Sequence, residues 1–222
     1  MLAEAYRDLK YLLNRGYRKR AALNFVANHY RLSEEERYLL ARCVFPDSWI
    51  EEVRNKLAAP EELSGRVLGI DGFNVLITLE SILLGEAILC EDGLVRDIRY
   101  VGKYRPNERT KELLDLIAGE LASLKVGRAV FFYGKNVPRS GFVRKLTEEK
   151  LAEHGVDSEV HLVRSPDFEL KGFEYVATAD TGVIGKVTHI LDLPALIGRR
   201  TGKRPGRPFS YTSLHDERRN SI

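Results

Sequence analysis

Arg66-Val-Leu-Gly-Ile-Asp71-Gly-Phe-Asn74-Val-Leu-Ile-Thr78 is the stretch that decides the fold of this 222-residue chain. Its apolar run at 67–70 ends abruptly in an aspartate and a glycine, and a second apolar run begins at once. A short continuous apolar run is typical of a central parallel strand that is covered on both faces. Ligand sites in parallel α/β sheets lie beyond the carboxyl ends of the strands. The stretch therefore predicts an α/β fold with Asp71 at the functional edge of the sheet.

Asp71 itself has two interpretations. A carboxylate at the end of a buried strand is costly to desolvate unless it meets a metal ion or a hydrogen-bond donor. Asp71 is therefore either the first ligand of an acidic metal site or the N-cap of the helix that follows. Asn74 lies one step into the next element, close to Asp71. This stretch alone favours the two interpretations equally.

Composition places the chain among globular proteins, because 44% of its residues are hydrophobic and 30% are charged. No apolar run reaches the roughly 18 residues that a membrane span needs, and the first residues lack the apolar core of a signal peptide. Cys43 and Cys90 fit no metal-binding spacing and are expected to be buried free thiols. We therefore expect a cytoplasmic protein with no membrane partner. Self-association as a homodimer is left open.

Periodicity divides the chain into three parts. Residues 1–64 carry four apolar stripes at helical spacing, one of them opened by the capping box at 33–36, and predict a small all-α domain. Strands and helices alternate over residues 65–199, which predicts an α/β domain with a mostly parallel sheet. Residues 200–222 are basic and rich in Gly, Pro and Ser, which predicts a flexible tail.

A basic group lies between the first two predicted helices. Its members are Arg15, Arg18, Lys19 and Arg20. We interpret the group as a solvated corner of the helical domain, with contact to phosphates as the alternative. The net charge of +3 is too small to indicate a nucleic-acid partner by itself.

Residues 87–98 alternate around an Asp-Gly dipeptide and predict a β-hairpin. Asp92 is then a turn residue rather than a ligand, and Asp97 is expected to be exposed. The polar segment at 99–109 follows, in which tyrosines such as Tyr104 are interleaved with basic residues. That mixture could stack bases and contact phosphates, or form an ordinary surface loop.

Nucleic-acid contacts are predicted in this polar segment and in one further loop. Lys103 and Arg105 are the candidates in the polar segment. The glycine-rich basic loop at 134–141 leads into a predicted helix, and such a loop can bind an anion through backbone N–H groups and the helix dipole. Three residues of the loop would add donors: Lys135, Arg139 and Ser140. The Walker pattern G-x-x-x-x-G-K-[ST] is absent, and a plain connecting loop is an equal alternative.

Three aspartates each follow an apolar run where a strand is predicted to end: Asp71, Asp167 and Asp180. A parallel sheet brings such ends to one edge, where three carboxylates repel one another unless a cation neutralises them. Mg²⁺ or Mn²⁺ is the expected cofactor, because hard cations prefer oxygen ligands. Such a metal generates hydroxide and stabilises the charge of a phosphodiester transition state. Asn74 and Thr181 are the expected supporting residues, and a cap or turn is the alternative role of each aspartate.

The strand that ends in Asp71, with Asn74 three residues later, resembles the opening motif of PIN and NYN-type nucleases. The stretch Tyr175-Val-Ala-Thr-Ala-Asp180-Thr181 resembles their late strand, and Asp167 is placed like their third acid. This likeness covers residues 66–198. The whole chain also resembles an uncharacterised, mainly archaeal family in which a helical N-terminal domain precedes a PIN-like domain.

The resemblance implies a three-layer α/β/α PIN-like domain and Mg²⁺- or Mn²⁺-dependent cleavage of RNA. It makes the three aspartates both the metal ligands and the catalytic residues, with the same two supporting residues. The second acid of that family sits on an early helix, where this chain offers Glu80 or Glu86. A helix starting at residue 73 would carry Glu80 about 13 Å from Asp71.

Three functions are therefore compared. The first is a metal-dependent nuclease, with RNA as the expected partner. The second is a nucleic-acid-binding or regulatory protein that uses the same fold without turnover. The third is a phosphohydrolase acting on a small phosphate ester. One class of such enzymes works through a phosphoaspartate and usually has Asp-x-Asp, whereas this chain has Asp71-Gly-Phe. The third function is therefore disfavoured, with a different mechanism left open.

Overall fold

The computed structural model describes residues 1–98 and 104–209. Its helices are α1 (Leu2–Asn14), α2 (Lys19–His29), α3 (Glu34–Cys43), α4 (Asp47–Lys56), α5 (Gly72–Leu84), α6 (Thr110–Leu124), α7 (Ser140–Glu153), α8 (Pro166–Leu170), α9 (Thr181–Ile184) and α10 (Leu193–Arg200), with a 3₁₀ turn at Pro60–Leu63. Its strands are β1 (Val67–Asp71), β2 (Ile88–Leu89), β3 (Val95–Arg96), β4 (Arg128–Gly134), β5 (Ser158–Val163), β6 (Tyr175–Ala177) and β7 (His189–Leu191). The predicted α/β class and the N-terminal helical region are both confirmed.

Five strands form one parallel sheet in the order β5-β4-β1-β6-β7. β1 is central, because the chain first winds outward through β4 and β5 and then crosses back to β6 and β7. The direction of winding therefore reverses between β1 and β6. In sheets of this kind the ligand crevice lies outside the carboxyl ends of the strands at the reversal point. Asp71, the last residue of β1, stands at that point.

The sheet lies between two layers of helices because its strand residues alternate between two apolar clusters. Phe131 and Ala177 face the cluster that contains α5, α6, α7 and α10. Phe132 and Val176 face a second cluster, which is completed by Val53 of α4, the hairpin, α8 and α9. Part of the N-terminal helical region therefore covers one face of the sheet.

The helical region has its own apolar cluster, which also includes hairpin residues. Ser33 and Glu36 form the predicted capping box at the start of α3. Cys43 of α3 and Cys90 of the hairpin are both buried and free, as expected. Their sulfur atoms lie 2.7 Å apart, a contact between residues 47 positions apart in sequence.

Two side chains of the hairpin region are more buried than expected. The prediction that Asp97 is exposed is wrong: it is 3% exposed and accepts a hydrogen bond from Ser81 Oγ at 2.9 Å. Tyr104 is 2% exposed, shares a hydrogen bond with Thr110 and packs against Phe73. It therefore has no free face on which a base could stack.

The flexible tail expected over 200–222 is wrong for its described part. Residues 201–209 follow the surface of the hairpin, and Gly206 exchanges two backbone hydrogen bonds with it, of 2.8 and 2.9 Å. Phe209 is buried and stacks on Tyr6 at a centroid distance of 4.7 Å. Within the two described ranges, every helix is too short or too polar to cross a membrane.

Gly72 makes the tightest backbone approach near Asp71. A Cβ atom at this position would lie 2.2 Å from Cε1 of Tyr133. Tyr133 is fully buried and shares a hydrogen bond with Thr147, so its ring has little room to move. Only a glycine lets the chain turn from β1 into α5 at this distance.

Gly72→Ala should therefore lower the free energy of unfolding by about 1–3 kcal/mol or more, because the added methyl group overpacks the core. Gly141→Ala is the matched control, since a Cβ there meets nothing within 4 Å and the position is helical. It should raise the stability by about 0.5–1 kcal/mol. Urea unfolding followed by circular dichroism measures both, and equal effects of the two substitutions would contradict the steric argument.

Candidate functional site at the carboxyl edge of the sheet

Asp71 is held at the sheet edge by two hydrogen bonds. One carboxylate oxygen accepts the Asn74 backbone N–H at 3.3 Å, which caps α5. The other accepts the hydroxyl of Thr178 at 3.3 Å. Asp71 is therefore the N-cap of α5, as one of its two interpretations predicted. A metal interaction is compatible with it, because a carboxylate offers about four acceptor positions.

The chain that leaves β6 is bound to the same place. Asn74 Oδ1 accepts the Ala179 N–H at 2.9 Å, which ties the start of α5 to the exit of β6. The Asp180 N–H donates to Thr178 Oγ1 at 3.1 Å. The Asp180 carboxylate accepts two backbone N–H groups of α9, at 2.7 and 3.2 Å. Asp71 and Asp180 are therefore linked through one hydroxyl group, that of Thr178.

The electrostatics of Asp71 involve the other two predicted acids. Burial raises the pKa of Asp71 to about 7, against the opposing effect of the Asn74 N–H. The negative charges of Asp167 and Asp180 raise this pKa further, and the Thr178 hydroxyl lowers it. Asp167 is exposed in the first turn of α8. The charges of both Asp167 and Asp180 therefore act on Asp71, and a shared metal site stays a prediction.

The donors at this edge are all oxygen atoms, which suits a hard cation such as Mg²⁺ or Mn²⁺. Across the described ranges, however, no group of three or more His, Cys, Asp or Glu side chains is placed to hold a metal ion. The carboxylate oxygens are suitable ligands for the expected cation. In this structure the carboxylates of Asp71 and Asp180 cap α5 and α9.

Glu80 does not belong to this edge. It is buried in α5 and accepts a hydrogen bond from Asn107 Nδ2 at 2.7 Å. This contact lies on the approach to α6, and the role of Glu80 as the early acid of the resemblance stays a prediction. Thr181, by contrast, lies at the edge as expected, exposed at the start of α9.

The predicted phosphate-contact residues fall in different places. Lys135 and Arg139 are exposed on the connection from β4 to α7, which leaves the same edge as Asp71, and Arg139 lies over the Phe142 ring at 5.0 Å. Ser140 is buried at the first position of α7. Arg105 is exposed, and Lys103 lies outside the described residues.

A buried ion pair beside the edge was not predicted. Arg96 binds Asp92 through two hydrogen bonds of 2.7 Å, and both side chains are almost fully buried. Arg96 Nε also donates to the carbonyl oxygen of Ala179 at 3.1 Å. Trp49 of α4 donates its indole N–H to Asp92 at 3.1 Å. Asp92 lies in the hairpin turn as predicted, and it also joins the hairpin to α4 and to the exit of β6.

Next to this pair lies a cleft of about 330 Å³ between the helical region and the exit of β6. We call it the basic cleft; its charged lining residues are Lys19, Arg42, Arg96 and Asp180. In the sequence, the basic group at 15–20 indicated positive charge in this region. It did not distinguish Lys19, which lines the cleft, from its exposed neighbours. No sequence pattern pointed to Arg42.

Comparison with known proteins places the chain in a family. Residues 60–196 match the model of a family described as a domain of unknown function, DUF5616. The chain belongs to this family. Residues 1–56 match the model of a second family, a protein of unknown function, DUF434. Neither of these two models is that of a PIN or NYN nuclease.

An archaeal relative supports the expected archaeal likeness. The uncharacterized protein MJ0935 of Methanocaldococcus jannaschii is 40% identical over 198 residues, which are 87% of this chain and 95% of that protein. No solved structure matches the chain. The acidic edge lies within the DUF5616 region, whereas Lys19 and Arg42 lie within the DUF434 region. Both regions therefore contribute to the basic cleft.

The raised pKa of Asp71 makes a prediction about stability. The folded-state pKa of about 7 lies above the ordinary 3.8, so the folded protein binds this proton more tightly than the unfolded chain does. The stabilising contribution of Asp71 is complete below pH 4 and is lost as the pH rises through 7. Asp71→Asn should keep the cap and be more stable than the wild type at pH 8, by roughly 2–4 kcal/mol.

Urea unfolding at pH 5 and pH 8 measures this difference. Asp157→Asn is the control, because Asp157 is exposed and precedes β5 at the opposite edge of the sheet. Its effect should stay within about 1 kcal/mol at both pH values. A loss of stability in Asp71→Asn at pH 8 would show that the charged form is favoured in the folded protein.

Proposed function

We propose that the protein is a metal-dependent nuclease that hydrolyses phosphodiester bonds at the acidic edge of a PIN-like fold. Mg²⁺ or Mn²⁺ is the proposed cofactor and RNA the proposed substrate. One observation carries the proposal: Asp71 stands at the reversal point of the sheet, and Asp167 and Asp180 both raise its pKa. A carboxylate with a perturbed pKa in a cleft position of this kind is typical of functional sites.

Each residue of the edge has a role in this proposal. A bound divalent cation would supply charge stabilisation for the phosphate and a hydroxide nucleophile. Asp71 and Asp180 would hold the cation, with the exposed Asp167 completing the set. Thr178 orients the Asp71 carboxylate through its hydroxyl group. Asn74 fixes the exit of β6 against α5, so that the strand ends keep their spacing.

Exposed cations along the same edge would contact the phosphate backbone. Lys135 and Arg139 follow β4 on one side of Asp71. The charge of Asp167 also acts on Lys171, whose pKa is lowered by its contact with Lys186. Binding that neutralises several phosphates releases counterions and weakens steeply as the salt concentration rises.

A second function, nucleic-acid binding without turnover, is favoured by one observation. Asp71 and Asp180 both have hydrogen-bond partners as helix caps, and the described part of the chain has no ready-made metal cluster. In that case the aspartates only stabilise the fold as helix caps, and the exposed basic residues alone bind the nucleic acid.

Mn²⁺ binding measured by calorimetry separates the two functions. The wild type should bind Mn²⁺, and Asp180→Asn should weaken binding at least about tenfold, a loss of about 1.4 kcal/mol or more. The fold should be retained because asparagine caps a helix as well as aspartate does. Cleavage of a single-stranded RNA in the presence of Mn²⁺ should fall in parallel.

Asp157→Asn provides the charge-matched control and should leave both measurements unchanged. If the wild type binds no Mn²⁺ and cleaves no RNA, the nuclease proposal is wrong. RNA binding that persists under those conditions and weakens with salt would then favour the second function.

A further inference from the structure

The basic cleft contains a lysine, Lys19, whose ammonium group contacts an aromatic ring and no carboxylate among the described residues. Lys19 is half-buried at the first position of α2, and its ammonium group lies 3.8 Å from the centroid of the Phe45 ring. Burial, and then the charge of Arg96, lower the pKa of Lys19 to about 8. With the described residues Lys19 forms no hydrogen bond or ion pair. Its desolvation is therefore not compensated by a carboxylate in direct contact.

Arg42, on the neighbouring wall, also has unused donors. Its Nη2 donates to the carbonyl oxygen of Asp97 at 3.3 Å. Its Nε–H is buried and has no hydrogen-bond partner in the described parts of the chain. An unsatisfied buried donor costs free energy, and such a group in a native structure requires an explanation. Arg42 lines the cleft, so an anion bound there would meet its guanidinium group.

The other charges that line the cleft are already compensated. Arg96 is neutralised by Asp92 in the buried ion pair. Asp180 directs one carboxylate oxygen at the N–H groups of α9. Lys19 and Arg42 therefore carry two positive charges without an ion-pair partner among the described residues, set between apolar walls that strengthen their field. A group with two negative charges matches them, as a phosphate monoester does near neutral pH.

The remaining walls indicate what the phosphate is attached to. Half-buried Trp49, which stacks on the buried Phe45 ring, forms the aromatic wall of the cleft, and Ala179 and Thr181 lead from it to the acidic edge. A volume of about 330 Å³ accommodates a small ligand. Aromatic surfaces beside cations are the usual setting for nucleotides, whose bases stack while their phosphates pair.

The geometry points to the basic cleft as a binding site for a nucleotide phosphate monoester, with the phosphate between Lys19 and Arg42 and the nucleoside against the aromatic wall. This site borders the acidic edge at Asp180 and requires no hydrolysis there. Its ligand is either a free mononucleotide or the phosphorylated end of a nucleic-acid strand, which carry the same group.

The single tryptophan of the chain, Trp49, lines the cleft and reports on it. We would titrate the full chain in EDTA with AMP, and with a 5′-phosphorylated and a 5′-hydroxyl oligonucleotide, while recording tryptophan emission. AMP should change the emission with saturation. Lys19→Met should weaken AMP binding about 10- to 100-fold, as expected for the loss of a charged hydrogen-bond donor.

Three variants make the test specific. Lys111→Met removes the same charge from the exposed surface of α6 and should leave AMP binding within twofold of the wild type. Lys19→Arg should retain binding within a few fold, because the charge remains. Lys19→Met should also melt at a higher temperature than the wild type without ligand, since an uncompensated buried charge is removed. That result would exclude misfolding as the cause of weaker binding.

The oligonucleotides identify the source of the phosphate. Preference for AMP alone assigns a mononucleotide, and preference for the 5′-phosphorylated over the 5′-hydroxyl strand assigns a strand end. Equal affinity for the two strands, with no response to AMP, would overturn the monoester site. The proposal would also be overturned if the wild type responded to none of the three ligands. Equal weakening of AMP binding by Lys19→Met and Lys111→Met would overturn it too. Because EDTA removes divalent cations, these outcomes are independent of the Mn²⁺ and cleavage measurements.

Discussion

The buried ion pair of Arg96 with Asp92 is the interaction that joins the parts of this molecule. The pair connects the hairpin to the exit of β6 through Ala179, and to α4 through Trp49. Burial lowers the pKa of Arg96, but the hydrogen bonds and charge of Asp92 outweigh that effect and keep the guanidinium charged. Loss of one partner from such a pair typically costs about 3–5 kcal/mol, because the other charge stays buried. The positions of the basic cleft and of Asp180 both follow from this contact.

Local sequence patterns predicted the elements well because the determining contacts are local. The capping box at 33–36, the amphipathic helix Thr110–Leu124 and the strand Ser158–Val163 depend on residues a few positions apart. The burial of Asp97 depends on Ser81, and the contact between the two cysteines spans 47 positions. Periodicity contains no information on such pairs, so it assigned Asp97 to the surface.

The candidate site was predictable to the extent that topology determines it. Aspartates that follow parallel strands lie towards one edge of the sheet, and the charges of Asp167 and Asp180 both act on Asp71. The basic cleft could not be predicted, because its two free cations come from α2 and α3 while its far wall comes from β6 and α9. Only the packing of the helical region against the sheet brings these charges together.

That packing has a consequence for how the gene can change. The two family models meet between residues 56 and 60, as if the halves were separable modules. Val53 and the partly buried Trp49, both from the first half, pack on the apolar face that Phe132 and Val176 present. A gene that lost its first 56 codons would encode a sheet with one apolar face only partly covered and a cleft without Lys19 and Arg42. Recombination at that junction would therefore succeed only where the incoming segment supplied an equivalent helix, so in this lineage the two halves are expected to be inherited together.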